Sequence, residues 1–153
     1  MNIFVLDTDP TRAAVAHCDV HVVKIILEPT QMLCTVRSAE GDAVAGGYKP
    51  THQSHPCTRW VTASAANYGW AHRLLVGLHK TYTHRYQKTH AAHRLVAALA
   101  PRAECGEPSS FVFAGPDECV GATVVERYRA LYRLKQTTPM RWTKDPRPEW
   151  MDP

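Results

Sequence analysis

The sequence predicts an all-α protein: a single compact domain over residues 1–153, with about four helices, a short N-terminal extended segment and an irregular C-terminal arm. Apolar residues recur every three or four positions over long stretches, and prolines and glycines concentrate between those stretches. A chain of 153 residues suits one hydrophobic core. Its 44% hydrophobic and 21% charged residues are typical of soluble globular proteins.

The N-terminal part predicts a strand-like or extended segment followed by a long helix. Residues 2–6 are mostly apolar, and Asp9-Pro10 is a helix-start signal with an N-cap and a first-turn proline. The helical pattern then continues to about Cys34. We expect a bend near Glu28, because Pro29 has no N–H to donate and its ring crowds the preceding turn.

The later elements alternate helices with connections. Residues 38–54 are rich in glycine and polar side chains and predict a loop, after which a second long helix spans about 56–89. A short helix is expected over 90–99, a long connection over 100–116 and the last helix over about 116–135. The remaining residues contain several prolines and two tryptophans and predict an arm that packs back on the domain.

Composition limits the location and the partners. No apolar run approaches the roughly 20 residues of a membrane span, and the N-terminus lacks the basic region of a signal peptide. The five cysteines include no C-x-x-C pair, which favours a reducing compartment over disulfides or a structural zinc site. We therefore expect a cytoplasmic protein with no membrane partner, and we interpret Cys18, Cys34 and Cys57 as small core residues.

The charge of the chain does not decide which kind of partner the protein binds. The net charge is +4, and the basic residues concentrate after position 70. This pattern is compatible with a phosphate-rich partner, but it also occurs in proteins that never meet nucleic acid.

A polar stripe on the first predicted helix is the strongest indication of chemistry. At about 100° per residue, five polar side chains lie within about 40° of one direction on a helical wheel. They are His17, His21, Lys24, Glu28 and Gln31. The flanking positions are aliphatic, so we expect a buried helix that carries these groups inward or into a cleft.

The stripe has two competing interpretations. Lys24 and Glu28, four residues apart, could form an ordinary surface salt bridge. Alternatively, His17 and His21 could share a zinc ion with a later histidine, His52 or His55, as in a metal-dependent hydrolase. The neighbouring lysine would repel a dication, so we assign no metal and no cofactor.

A second polar cluster precedes the second long helix. Lys49, His52 and His55 approach its N-terminus, where free N–H groups and the helix dipole favour an anion. The alternative is that His55 only caps the helix and His52 is a solvated loop residue. Trp60, further along this helix, is interpreted as core, with stacking on a base as the less favoured option.

Three stretches together resemble the phage pyrimidine-dimer DNA glycosylase (endonuclease V) family. They are the helical Ile26-Leu27-Glu28-Pro29, the helix start Ser54-His55-Pro56-Cys57-Thr58-Arg59-Trp60, and Arg147-Pro148-Glu149-Trp150 near the end. The chain is more similar to uncharacterised relatives with the patterns D-x-H-x-x-K-x-x-x-E-x-x-Q and Y-K-P-T-H-x-x-H-P than to the characterised enzyme. In order, the motifs span most of the chain, although each is short.

The resemblance implies an all-α enzyme that flips a nucleotide out of DNA and uses its N-terminal amine to attack the sugar C1′. It assigns to Glu28 the stabilisation of the sugar cation and assistance in strand cleavage. The amine here would be that of Met1, because a second residue as large as Asn2 normally leaves the methionine in place. Lys24 is a second candidate amine if burial lowers its pKa, and His21 is a candidate acid or base.

The remaining candidates would hold phosphate or nucleic acid. They are His17, Gln31, Lys49, His52, His55, Arg59 and Arg147. The leading hypothesis is thus an enzyme acting on the N-glycosidic bond of a modified or damaged base, with DNA or a nucleotide as partner. It requires the amine of Met1 and the carboxylate of Glu28 to share one cleft.

Two alternatives stay open at this point. One is a non-catalytic nucleic-acid-binding accessory module, and the other is the metal-dependent hydrolase. The sequence does not identify the base, does not distinguish DNA from a free nucleotide, and leaves the oligomeric state open.

Overall fold

A computed structural model describes residues 1–103, 106–135 and 139–152. Within these ranges the fold is all-α, as predicted, and no strand forms; residues 2–6 are irregular. The α-helices are α1 (Pro10–Ala16), α2 (Asp19–Ile25), α3 (Leu27–Ala39), α4 (Pro56–Thr62), α5 (Ala65–Tyr86) and α6 (Val124–Leu134). Short 3₁₀ helices span Ala91–Leu95 and Glu149–Met151.

The first predicted helix is three helices, so the prediction of one continuous element is wrong. The chain is extended at His17 and Cys18, where the Cys18 N–H donates to the Tyr132 hydroxyl at 2.8 Å instead of continuing a helix. A second break falls at Ile26, near the bend predicted at Glu28, and Pro29 lies in the first turn of α3, where its missing N–H is tolerated.

Helix α5 is the central element and packs against α1, α2, α3 and α4. The closest approach is to α1, because a Cβ atom on Gly77 would lie 2.8 Å from the Cβ of Ala14. The second long helix of the prediction is interrupted at Ala63 and Ser64, and the Ser64 side chain caps α5. It ends at Tyr86, before the predicted residue 89, where Gln87 adopts a left-handed φ of 54°.

The last predicted helix begins later than expected. Residues 116–123 are irregular, and α6 begins at Val124 behind a capping box: Thr123 accepts from the Glu126 N–H, and Glu126 accepts from the Thr123 N–H. The short helix expected over 90–99 is reduced to the 3₁₀ helix Ala91–Leu95.

One hydrophobic core extends from the N-terminal segment to the C-terminal arm. Cys18, Cys34 and Cys57 are buried as predicted, and Trp60 is a core residue that packs against Trp70. Cys105 lies outside the described residues.

The C-terminal arm packs back on the helices, as predicted. The Trp142 indole donates to the Ala16 carbonyl at 2.9 Å, and Asp145 accepts from Arg85 at 2.7 Å. The Arg85 side chain has no solvent exposure and also bonds Asp19. Residues 136–138 and 153 of the predicted arm lie outside the described ranges.

In the part of the chain that the structure describes, no helix combines the length and apolar character needed to cross a membrane.

Candidate active site

The N-terminal amine and a carboxylate meet at one wall of an open cleft. The Met1 nitrogen lies 3.9 Å from Oε2 of Glu28. The cleft measures about 380 Å³. Its lining comprises Met1, Asn2, Phe4, His21, Lys24, Ile25, Glu28, Ala114, Gly115, Pro116, Leu131 and Lys135. The leading hypothesis requires this juxtaposition of Met1 and Glu28, and it is present.

Asn2 fixes the path of the N-terminus. Its side-chain amide donates to the Ala114 carbonyl at 2.7 Å, and its side-chain oxygen accepts from the Phe4 N–H at 3.0 Å. The second bond closes a tight turn in which Phe4 has a φ of 35°. Because residues 3–6 are buried immediately afterwards, the amine is held against the cleft wall.

Glu28 lies in the first turn of α3, where the helix dipole favours a carboxylate. Its Oε2 also accepts a hydrogen bond from the backbone N–H of Asn2. The side chain is 28% exposed, so part of the carboxylate still faces the cleft. Glu28 can therefore anchor the N-terminus and interact with a bound molecule.

His21 presents a neutral imidazole to the same cleft. Its ring stacks on Phe4 and meets Tyr132 edge-on, with centroids 5.9 and 4.8 Å away. Burial, followed by the charges of Lys135 and Lys24, lowers the pKa of His21 to about 4. Its buried Nδ1 has no hydrogen-bond partner among the described residues. The part of the ring that lines the cleft can contact a ligand, whereas the buried Nδ1 cannot reach one.

The expectation of one buried helix that carries the polar stripe inward or into a cleft is wrong for the helix, although His21, Lys24 and Glu28 do line the cleft. His17 lies in the connection between α1 and α2, whereas His21 and Lys24 lie on α2 and Glu28 and Gln31 lie on α3. Lys24 is exposed at the cleft. Val20, Val23 and Leu27 on the flanks are also exposed, at 53%, 37% and 36%.

His17 does not face the cleft. It is fully buried, its Nδ1 lies 2.7 Å from the Ala13 carbonyl oxygen, and its ring packs edge-on against Phe4 and Tyr132. Burial lowers its pKa to about 3. A ring with no solvent exposure cannot reach a phosphate, so the prediction that His17 binds one is wrong and its role here is packing.

His55 is the nearest of the second polar cluster to the site. Its Nδ1 accepts from the Cys57 N–H at 3.2 Å and caps α4, which was the alternative interpretation of this residue. Burial, then the positive charge of the N-terminal amine, lowers its pKa. That interaction indicates that His55 lies near the amine of Met1, although it is not part of the cleft lining.

The other predicted phosphate contacts are not brought together. Lys49 and His52 are exposed in the loop before α4, and the His52 ring bonds the Thr51 hydroxyl at 2.7 Å. Arg147 lies on the C-terminal arm, 3.0 Å from Asp152. Gln31 and Arg59 are absent from the cleft lining as well.

Lys135 and the wall at Ala114 and Gly115 contribute to the cleft but were not found in the sequence. Lys135, at the end of α6, faces the early helices only because of the tertiary packing. The wall at Ala114 and Gly115 is held by the Tyr128 hydroxyl, which accepts from the Ala114 N–H at 3.1 Å and donates to the Val112 carbonyl at 3.0 Å. A proline–glycine-containing connection gives no indication of such contacts.

Among the described residues, no group of three histidine, cysteine, aspartate or glutamate side chains is arranged to hold a metal ion. The histidine arrangement suggested for the metal-dependent hydrolase is therefore not assembled.

We found no match to this chain among protein-family models, curated proteins or solved structures.

Proposed function

We propose that the protein is a DNA glycosylase with AP-lyase activity, acting on the N-glycosidic bond of a modified or damaged base. The observation that carries the proposal is the shared cleft of the Met1 amine and the Glu28 carboxylate, 3.9 Å apart. The similarity of three short motifs to the endonuclease V family supports the same reaction class.

The reaction uses the amine as nucleophile. The unprotonated nitrogen of Met1 attacks C1′ of the deoxyribose, the N-glycosidic bond breaks, and the base leaves with its electron pair and a proton. Opening of the sugar ring breaks the C1′–O4′ bond, O4′ takes a proton from water, and an iminium ion remains on the protein nitrogen. Loss of a C2′ proton then expels the 3′-phosphate, and water releases the sugar fragment.

Glu28 and His21 supply the charge and proton chemistry around this step. The carboxylate of Glu28 offsets the positive charge that develops at C1′ and can accept the C2′ proton. The half-buried neutral ring of His21 lines the same cleft and can contact the departing base there. Lys24 and Lys135 at the same cleft favour a phosphate.

Met1 is the favoured nucleophile over Lys24. Its amine is held next to Glu28, whereas the Lys24 side chain is exposed rather than buried. The nitrogen of Asn2 bonds Glu28 but belongs to a peptide bond while Met1 is in place, so it has no free electron pair for attack. The intact mass of the purified protein identifies which residue carries the free amine.

Borohydride trapping tests the proposal. Wild-type protein is incubated with a DNA oligonucleotide that contains one abasic site, so the base need not be known. We expect a reduced covalent adduct whose peptide map places the sugar on Met1. Absence of an adduct on abasic DNA, and on DNA with a panel of modified bases, contradicts the proposal.

Glu28→Gln is the matched variant, and Glu40→Gln, on an exposed residue beyond the same helix, is the control. Glutamine can still accept from the Asn2 N–H, so the fold should persist. We expect Glu28→Gln to lower the rate of adduct formation by about 10²-fold or more, as for loss of one preorganised electrostatic partner. An unchanged rate would show that the Glu28 carboxylate does not take part in adduct formation.

One observation favours a second candidate, a non-catalytic nucleic-acid-binding module. The bond from the Asn2 N–H gives Glu28 a structural role that needs no chemistry. This candidate predicts DNA binding that falls steeply with salt, no adduct and no product, and binding retained in Glu28→Gln.

A further inference from the structure

A second cleft adjoins the first and shares its charged wall. It measures about 440 Å³, and its described lining includes His21, Lys24 and Lys135 together with the aliphatic Val20 and Leu134. His21, Lys24 and Lys135 also line the cleft that contains Glu28. These three side chains therefore form a ridge between two neighbouring clefts.

The two clefts differ in chemistry. The first contains the amine of Met1 and the carboxylate of Glu28. The second has no acidic residue in its described lining, and it contains two of the most exposed aliphatic side chains of the described chain, Val20 and Leu134, at 53% and 58%. Exposed aliphatic surface in a cleft favours a flat apolar ligand group such as a nucleobase.

The ridge suits a phosphodiester. Lys24 on α2 and Lys135 after α6 approach His21 from two elements, and both charges act on its ring. Two cations and a neutral imidazole can bind a phosphate without a competing carboxylate on the ridge itself. The arrangement is thus apolar surface, positive ridge and reactive cleft, which matches the order of one nucleoside, the connecting phosphate and the next nucleoside along a nucleic acid strand.

We propose that the two clefts hold two successive nucleotides of one unpaired DNA strand, with the connecting phosphate on Lys24 and Lys135. The reacting nucleotide occupies the cleft of Glu28, and the neighbouring base lies against Val20 and Leu134. This inference rests on the proposed function for the identity of the reacting cleft. It assigns the contacts that bind the nucleotide next to the reacting one.

Binding of an unreactive strand tests the inference independently of catalysis. The probe is fluorescein-labelled single-stranded octathymidylate, with unlabelled thymidine 5′-monophosphate and a matched octamer duplex as competitors. We expect the monophosphate to compete only at concentrations about 10²-fold or more above those of the single strand, because it occupies one cleft. The duplex should compete more weakly than the single strand, because its bases are paired.

Substitutions in the second cleft locate the site. Val20→Asp places a negative charge beside the proposed base and phosphate, and we expect roughly tenfold weaker strand binding, the scale of losing one base contact. Val120→Asp is the control, since Val120 is 76% exposed and lines neither cleft. Lys24→Met and Lys135→Met should each reduce the slope of log affinity against log salt by about one, whereas exposed Lys80→Met should not.

The outcomes separate this inference from the proposed function. Equal effects of Val20→Asp and Val120→Asp, or competition by the monophosphate at the concentration of the single strand, overturn the two-cleft arrangement even if an abasic adduct forms. If the duplex competes as well as the single strand, the proposal that the bound strand is unpaired is overturned. Strand binding with the expected dependence on Val20 but no adduct overturns the enzymatic function and leaves the strand site in place.

Discussion

The amine of Met1 lies 3.9 Å from Oε2 of Glu28, at the wall of a cleft that also contains His21. Two features of the fold produce this contact. The apolar residues 3–6 are buried and anchor the N-terminal segment, and the break at Ile26 starts α3 so that Glu28 lies in its first turn. Each prediction below tests one part of this arrangement.

Extending the N-terminus by one glycine should abolish adduct formation on abasic DNA. One residue displaces the amine by up to about 3.8 Å and leaves a peptide bond at Met1. Lys24→Met, in contrast, should retain the adduct on the N-terminal peptide. The measurement is borohydride trapping followed by peptide mapping. Trapping that survives the extension but is lost in Lys24→Met assigns the nucleophile to the lysine instead.

Asn2→Leu should lower both adduct formation and stability. Leucine is of similar size but removes the hydrogen bonds to the Ala114 carbonyl and the Phe4 N–H. We expect a loss of about 1–2 kcal/mol in the free energy of unfolding in urea. Gln53→Leu on the exposed loop should change it by less than about 0.5 kcal/mol. Full adduct yield in Asn2→Leu would show that these two hydrogen bonds of the Asn2 side chain do not position the amine.

Arg85→Met should destabilise the fold strongly. The buried guanidinium bonds Asp19 and Asp145 and donates to the Val15 and His17 carbonyls, joining the C-terminal arm to the end of α1. Removing it leaves these acceptors without their partner, at a cost of about 3–5 kcal/mol in the free energy of unfolding.

Exposed Arg73 on the same helix provides the matched control, and Arg73→Met should be close to neutral. Similar unfolding midpoints for the two methionine variants are incompatible with a structural role of the Arg85 network.

Stability should decrease as the pH falls from about 6.5 towards 4. Burial lowers the pKa of His17 to about 3 and those of His21 and His79 to about 4, from an ordinary value of 6.5. In this window the unfolded chain binds protons that the folded chain does not. The free energy of unfolding therefore rises with pH, and this contribution is complete above about pH 6.5.

Urea unfolding between pH 7.5 and 4.5 measures the effect. The buried Nε2 of His79 has no hydrogen-bond partner among the described residues. His79→Gln should therefore reduce the slope of the free energy of unfolding against pH by up to the amount that corresponds to one bound proton. A slope equal to that of the wild type excludes His79 as one of the responsible groups.

The local sequence was sufficient for several features. The all-α fold, the helix starts at Pro10 and Pro56, and the burial of Cys57 all follow from short-range signals such as a capping residue, an N-terminal proline and apolar periodicity. The Asp9 cap, for example, accepts from the Arg12 N–H at 2.8 Å, as the Asp-Pro pair predicts.

Helix continuity was the main error, and it arose because the interruptions depend on distant partners. The chain leaves the helix at Cys18, where the N–H bonds the hydroxyl of Tyr132 on α6. No residue near Cys18 carries that signal. The helical wheel consequently grouped His17 with His21, although the structure buries the first and exposes part of the second.

By itself, the sequence determined the helical class, because that feature depends on residue types and their spacing. It identified Glu28 as a candidate carboxylate through the polar stripe together with the resemblance of three short motifs to a known family. The tertiary structure alone decided which groups surround Glu28. It placed the Met1 amine beside Glu28, added Lys135 from the other end of the chain and removed His17 into the core. Such contacts are set by the packing of elements far apart in the chain, which local periodicity does not encode.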